Sequence, residues 1–268
     1  METYLAHHGI LGMKWGVRRY QNPDGSLTLA GKKRYYQDSD KTIKENTDGS
    51  STIPIGFKLN RVGKSTLDIN NSGGLYVSYG KADAARYIKA LGPTPIAKML
   101  KTAGEAVQHI TVKEALRMPS IEETAKEVAE LLLSNNSLLK SFNDSFYSMT
   151  ATGSYDKNIS KQDLKRVLES PGGKEAQKIS YGVSSFLGDG NYADDSKIVY
   201  EHFRRKGYDA IPDVHDRFGG VSNTAMVIIN PGKVEITSTT PISKDVMKSA
   251  KKYVKSLEKI KVSDLIKD

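Results

Sequence analysis

Between Thr52 and Thr240 the apolar residues form short alternating runs, then recur at helical spacing over a long middle stretch, then return to short runs. The runs "TIPIGFKLNRVG" and "GGLYVSYG" are apolar or β-branched and bounded by Gly, Asn and Ser, which reads as two strands. "KADAARYIKAL" follows at helical spacing and ends at Gly92-Pro93. Helical patterns continue in "PSIEETAKEVAELLLSNN", "SKQDLKRVLES", "GKEAQKISYGVSSFLG" and "DDSKIVYEHFRRKG", the last closed by Gly207. "YDAIPDV" and "TAMVIINPGKVEIT" restore strand character before a helix in "SKDVMKSAKKYVKSLEKI". Elements in blocks, without βαβ alternation, predict an α+β domain carrying an inserted helical block.

Local signals set the expected boundaries. Ser120 and Glu123 have capping-box spacing, and Asn135-Asn136 is expected to stop the helix they begin. "QDSDKTIKENTDGSS" is polar and almost free of apolar residues, so it reads as a linker. The expected organisation is a basic recognition leader over 1–36, a polar linker over 37–51 and an α+β domain over 52–240. Its helical insertion spans about 93–206, and a C-terminal helical segment covers 241–268.

With 268 residues the chain can bury a core, and its longest apolar runs fall far short of the roughly 20 residues that cross a bilayer, so no membrane association is expected. The absence of cysteine excludes disulfides and thiolate metal sites. A net charge of +9 favours an acidic partner, and its distribution is uneven. Residues 1–36 hold Lys14, Arg18, Arg19, Lys32, Lys33 and Arg34 against Glu2 and Asp24. A second excess, from Lys244 to Lys261, lies on a helical pattern whose apolar stripe is Val246, Tyr253, Val254 and Leu257, and reads as a solvated helix face.

Few residues carry chemistry on spacing alone. His7-His8 cannot point two ligands from one helix face and has no carboxylate or thiolate at ligand spacing, so no metal site is expected. His215, in "DVHD" between Asp213 and Asp216, is the histidine with close acidic company, which can orient its ring or raise its pKa; the same tripeptide also suits a turn. "GDGNY", "SPGGK" and "RFGGVS" lack the flanks of a phosphate loop and read as turns. No motif compels an enzyme assignment.

Two resemblances add to this. "HHGILGMKWGVRRYQNPDGSLTLAGKKRY" resembles a segment of tailed-bacteriophage proteins from the virion morphogenesis regions of phages and prophages of Gram-positive bacteria. It implies a virion protein or packaged cargo, located in the virion and the host bacterial cytoplasm. The partner would be a capsid, portal or related structural protein. Trp15, Arg18, Arg19, Lys32, Lys33 and Arg34 would bind it, with Ile10, Leu11, Met13 and Val17 as further apolar anchors.

The folded part, through "IPIGFKLNRVG", "GGLYVSYGKADAARYI", "KGYDAIPD" and "TAMVIINPGKVEI", is similar in order to ADP-ribosyltransferase-like domains of phage head-associated proteins and polymorphic toxins. That resemblance implies a split β-sheet core and NAD as cofactor, with Arg61 and Ser78 in the first two motif places and Tyr76 beside them. The late-strand glutamate that drives transfer is replaced by Ala225, after Asn223 and Thr224, and a methyl group cannot stabilise an oxocarbenium-like centre. Asp213, Asp216 or Glu235 would have to substitute.

Three expectations follow. The leading one is a virion component docked through its leader, with a degenerate transferase-like domain and no cofactor. The second is an active NAD-dependent transferase delivered to the host. The third is nucleic-acid binding through the basic leader, against which the lone Trp15 offers no repeated stacking platform. Arg61 and Ser78 also have an ordinary reading, as a surface strand residue and a strand hydroxyl.

Overall fold

The computed structural model of the chain describes residues 41–64, 73–93, 104–150, 158–188, 190–218 and 221–265. It is a mixed fold of helices and small antiparallel sheets. Strands β1 (Lys44–Glu45), β2 (Ser51–Ile53) and β6 (Leu116–Met118) form one sheet in the order β1–β2–β6. A second sheet runs β3 (Lys58–Gly63), β5 (Ala106–Val112), β9 (Val234–Pro241). The third runs β4 (Leu75–Val77), β8 (Met226–Ile228), β7 (Ala210–Pro212). A bridge between Asn60 and Ser78 joins the second sheet to the third.

Alternation along these strands sorts the side chains into three apolar clusters. Leu59, Ile110, Val112, Leu75, Val77, Met226 and Ile228 meet Ile53, Leu116 and Met118 in a central core shared by all three sheets. The opposite face of the β3–β5 pair offers Val62 and Val107. There α1 (Lys81–Leu91) packs through Ala85 and Ile88, and α8 (Lys244–Leu265) through Ala250 and Val254. The opposite face of the third sheet offers Ile211 and Val227 to a helical block. That block comprises α2 (Ile121–Ser134), α3 (Asn136–Thr150), α4 (Lys161–Glu169), α5 (Lys174–Gly188) and α6 (Ala193–Arg205). The short helix α7 (Val214–Phe218) follows β7.

Two glycines are needed where they stand. Gly56 turns the chain between β2 and β3 at φ 79, so "TIPIGFKLNRVG" is two strands in different sheets. At Gly74, a Cβ would lie 2.5 Å from the Tyr200 hydroxyl and 2.8 Å from Val227, so only glycine lets β4 start against the helical block. "TAMVIINPGKVEIT" likewise divides into β8 and β9, at a single 3₁₀ turn over Pro231–Lys233.

The structure corrects several expectations. The polar linker over 37–51 contributes β1 and the start of β2, because Asn46 Nδ2 donates to Ser50 Oγ and Thr52 Oγ1 and closes a polar hairpin. Residues 93–206 are not a helical insertion throughout, since β5 is the central strand of its sheet. Its polar Gln108 and His109 obscure the apolar run, yet Gln108 is buried with its amide satisfied by Arg61 and the Lys64 carbonyl. At α2, Ser120 Oγ accepts from the Glu123 N–H, while the Glu123 carboxylate pairs with Lys126 at 3.8 Å. The reciprocal capping box occurs at α4, between Ser160 and Asp163. Asn135 ends α2 and also caps α3, accepting from the Leu138 N–H at 3.0 Å.

If β5 carries the sheet, Ile110→Ala should be among the costliest apolar truncations, at about 2–5 kcal/mol. Urea unfolding checks this, as a lower midpoint at unchanged slope.

Candidate functional site

A partly buried group of ionisable side chains lies where α1 meets α7. Asp83 and Tyr87 are four residues apart on α1 and share a helix face. The Tyr87 hydroxyl donates to Asp216 Oδ2 at 2.5 Å, and His215 Nδ1 lies 3.4 Å from Asp216 Oδ1. The His215 ring is tilted against Tyr181 of α5, with centroids 4.9 Å apart. Asp213 is buried, its Oδ1 accepting from the Asp216 N–H at 3.2 Å. Ser184 of α5 starts α7 by accepting from the Val214 N–H at 2.8 Å.

This geometry separates the two carboxyls. Burial, then the nearby Asp216 charge, raises Asp213 above the ordinary aspartate value and favours its protonated form. Burial also acts against the charged form of Asp216, but the bonds from His215 and Tyr87 prevail and lower it. The same bond to Asp216 raises His215. Tyr87 is raised by burial and by its bond to Asp216, so its hydroxyl stays a donor. Two carboxyls shifted in opposite directions beside a half-exposed histidine can hold and exchange a proton.

Asp83 anchors the seam from the other side. Its Oδ2 accepts from Ser222 Oγ at 2.8 Å and from the Asn223 and Thr224 N–H groups at 2.9 and 3.0 Å, and its Oδ1 accepts from Arg86 at 2.7 Å. Thr224 Oγ1 accepts in turn from the Tyr79 N–H at 2.9 Å. The segment entering β8, where the transferase resemblance expects a catalytic glutamate, is thus bound to the start of α1, and Ala225 is buried.

The expected site residues separate on this frame. Asn60 and Ser78 exchange both backbone bonds, at 2.7 and 2.9 Å, so their side chains share one face of the joined sheets. Arg61, next along β3, stands on the other face, where it donates to Gln108 at 3.2 Å. NAD held between Arg61 and Ser78 does not fit this arrangement. Tyr76 is on the Ser78 face, its hydroxyl 3.4 Å from the Ser184 carbonyl and its pKa raised by burial. The structure therefore gathers Tyr76, Asp213 and Asp216 around α5 and α7. "DVHD" runs from the end of β7 into α7, and Glu235 is exposed on β9.

His202 meets a buried partner. Its Nε2 lies 2.7 Å from Glu127 Oε2, and Lys206 donates to Oε1 at 3.0 Å, tying α6 to α2. Sequence reasoning missed Asp83, Tyr87, Tyr181 and Ser184; the four-residue spacing of Asp83 and Tyr87 was the available signal. Trp15, Arg18, Arg19, Lys32, Lys33, Arg34 and the His7-His8 pair lie outside the described residues. Among the described residues no group of three or more His, Cys, Asp or Glu could hold a metal ion. No described helix is long and apolar enough to cross a membrane.

The model of a family of unknown function, DUF7211, matches residues 1–22. No curated protein matches it. No solved structure matches it either.

Removing the anchor with Asp83→Ala leaves the buried Ser222 hydroxyl and the Asn223 N–H without their acceptor and the Thr224 N–H with Ser222 alone, and should cost about 3–5 kcal/mol in urea unfolding. The His215 contribution has a defined sign. Its raised pKa gives stability that is full below the ordinary value of 6.5 and is lost as pH rises through the folded value. Between about pH 6 and 8 the wild type should therefore lose stability relative to His215→Gln, read from paired denaturation midpoints.

Proposed function

We propose that the chain is a phage or prophage virion-associated protein. Its N-terminal segment docks on another virion component, and its folded part is a transferase-like scaffold without the catalytic acid. The carrying observation is the entry to β8. Ala225 is buried there, and the residues before it are held by Asp83, so the place for the acid is occupied by packing. The split of the larger strands into two joined antiparallel sheets is compatible with such a scaffold. A family match confined to residues 1–22 supports treating the segment as a unit separable from the rest.

The docking chemistry follows from residue types. Trp15 offers a large apolar surface and Arg18-Arg19 a paired charge, the types enriched where binding energy concentrates. Deleting residues 1–36 should reduce the protein in purified particles to background on a quantitative immunoblot, with the folded part still soluble. Retention at the wild-type level would overturn the reading.

A second reading, an active NAD-dependent transferase effector, is favoured by one observation. Asp213 and Asp216, shifted in opposite directions beside Tyr87, supply carboxyls near the helical face. It requires NAD to be held by residues other than the Arg61–Ser78 pair. Label transfer from NAD to a host component, abolished in Asp216→Asn, would displace the first reading. No transfer and no NAD binding by calorimetry would retire the second.

A further inference from the structure

On four other helices one cation has an acidic neighbour. Arg86 pairs with Asp83, Lys126 with Glu123, Arg166 with Asp163 and Lys197 with Asp194, each three residues apart. Helix α8 is the richest of the described helices in lysine. Lys244, Lys248, Lys251, Lys252 and Lys255 are all exposed, and none takes part in an ion pair. At about 100° per residue their Cα atoms fall within an arc of about 100°. Each lysine then has like charges three or four residues away, an arrangement that weakens a helix in isolation.

The rest of α8 is committed elsewhere. Ala250 and Val254 are buried against α1, β3 and β5, and Val246, Met247 and Tyr253 pack beside them. Ser243 caps the helix by accepting from the Val246 N–H at 3.2 Å. The outward face therefore carries lysine and serine, including Ser249 and Ser256, with the exposed Asp245 at its edge, and has no apolar or aromatic anchor. A protein partner would need such an anchor, and a bilayer would need apolar residues to insert. Lysines act as point charges without the fork that reads bases or holds single carboxylates. What suits such a face is a regular, dense row of phosphates. From Lys244 to Lys255 the helix runs about 17 Å, and a duplex of that length presents about five phosphates per strand.

We propose that this lysine face of α8 binds the phosphodiester backbone of double-stranded nucleic acid without regard to sequence. Lys244 to Lys255 are remote in sequence from residues 1–36, and the inference does not rest on the virion reading.

The test is fluorescence anisotropy of the full chain with short mixed-sequence DNA and RNA duplexes across a salt series. Five phosphate contacts alone would weaken binding by about 500-fold between about 50 and 200 mM salt. K248Q/K251Q/K252Q/K255Q should lower the slope of log affinity against log salt by about 3.6, whatever residues 1–36 contribute. The Arg replacements at the same four positions should restore the slope, and K161Q/K165Q on α4 should leave it unchanged. Binding of either duplex with these changes sustains the proposal. An unaltered slope in the four-Gln variant, no duplex binding by the wild type, or capture by phosphatidylserine vesicles in place of duplex would overturn it. Circular dichroism of each variant shows that α8 remains folded.

Discussion

The buried carboxylate of Asp83 holds together what the chain separates by about 140 residues. It accepts from Ser222, Asn223 and Thr224 while its other oxygen meets Arg86. A carboxylate removed from water must have its lone pairs filled, and this one is filled by the segment that leads into β8. Helix α1 is thereby fixed to the third sheet as well as to β3. With α1 in place, Tyr87 reaches Asp216, and α8 finds Ala85 and Ile88 as its packing surface. The candidate site and the basic face both depend on this one group.

The bridge between Asn60 and Ser78 governs what the sheets can offer a ligand. Pairing by both backbone bonds sets these two side chains on the helical face and turns Arg61 toward Gln108. A shift of one residue in this register would reverse the assignment, because side chains alternate with period two. Register at one bridge thus decides whether the Arg61 and Ser78 side chains can share a pocket. Here they are separated, while Tyr76 is brought toward Asp213.

Charge is handled in two ways across the surface. Four helical cations are matched by an acid three residues away, a local arrangement that lends each helix a few tenths of a kcal/mol. Glu127 is handled differently, its buried carboxylate shared by His202 and Lys206 from a second helix. The exposed lysines of α8 from Lys244 to Lys255 do neither.

Much of the fold was legible because it rests on local periodicity and caps: α1, α2, α4, α5, α6 and α8 all lie on segments with helical spacing, and β4 and β7 on short apolar runs. β5 was not legible, since Gln108 and His109 break its apolar pattern and only pairing with β3 and β9 satisfies them. Of the site, Asp213, His215 and Asp216 stood out by sequence proximity, and Asp83 and Tyr87 did not, because their partners are remote in the chain. By itself the sequence determined the types of those locally patterned elements, the basic ends and the absence of an acid at Ala225. Tertiary structure alone decided which face each strand residue takes, which carboxylate is buried, and which lysines remain unpaired. Those outcomes depend on contacts between distant segments, and local spacing carries no record of them.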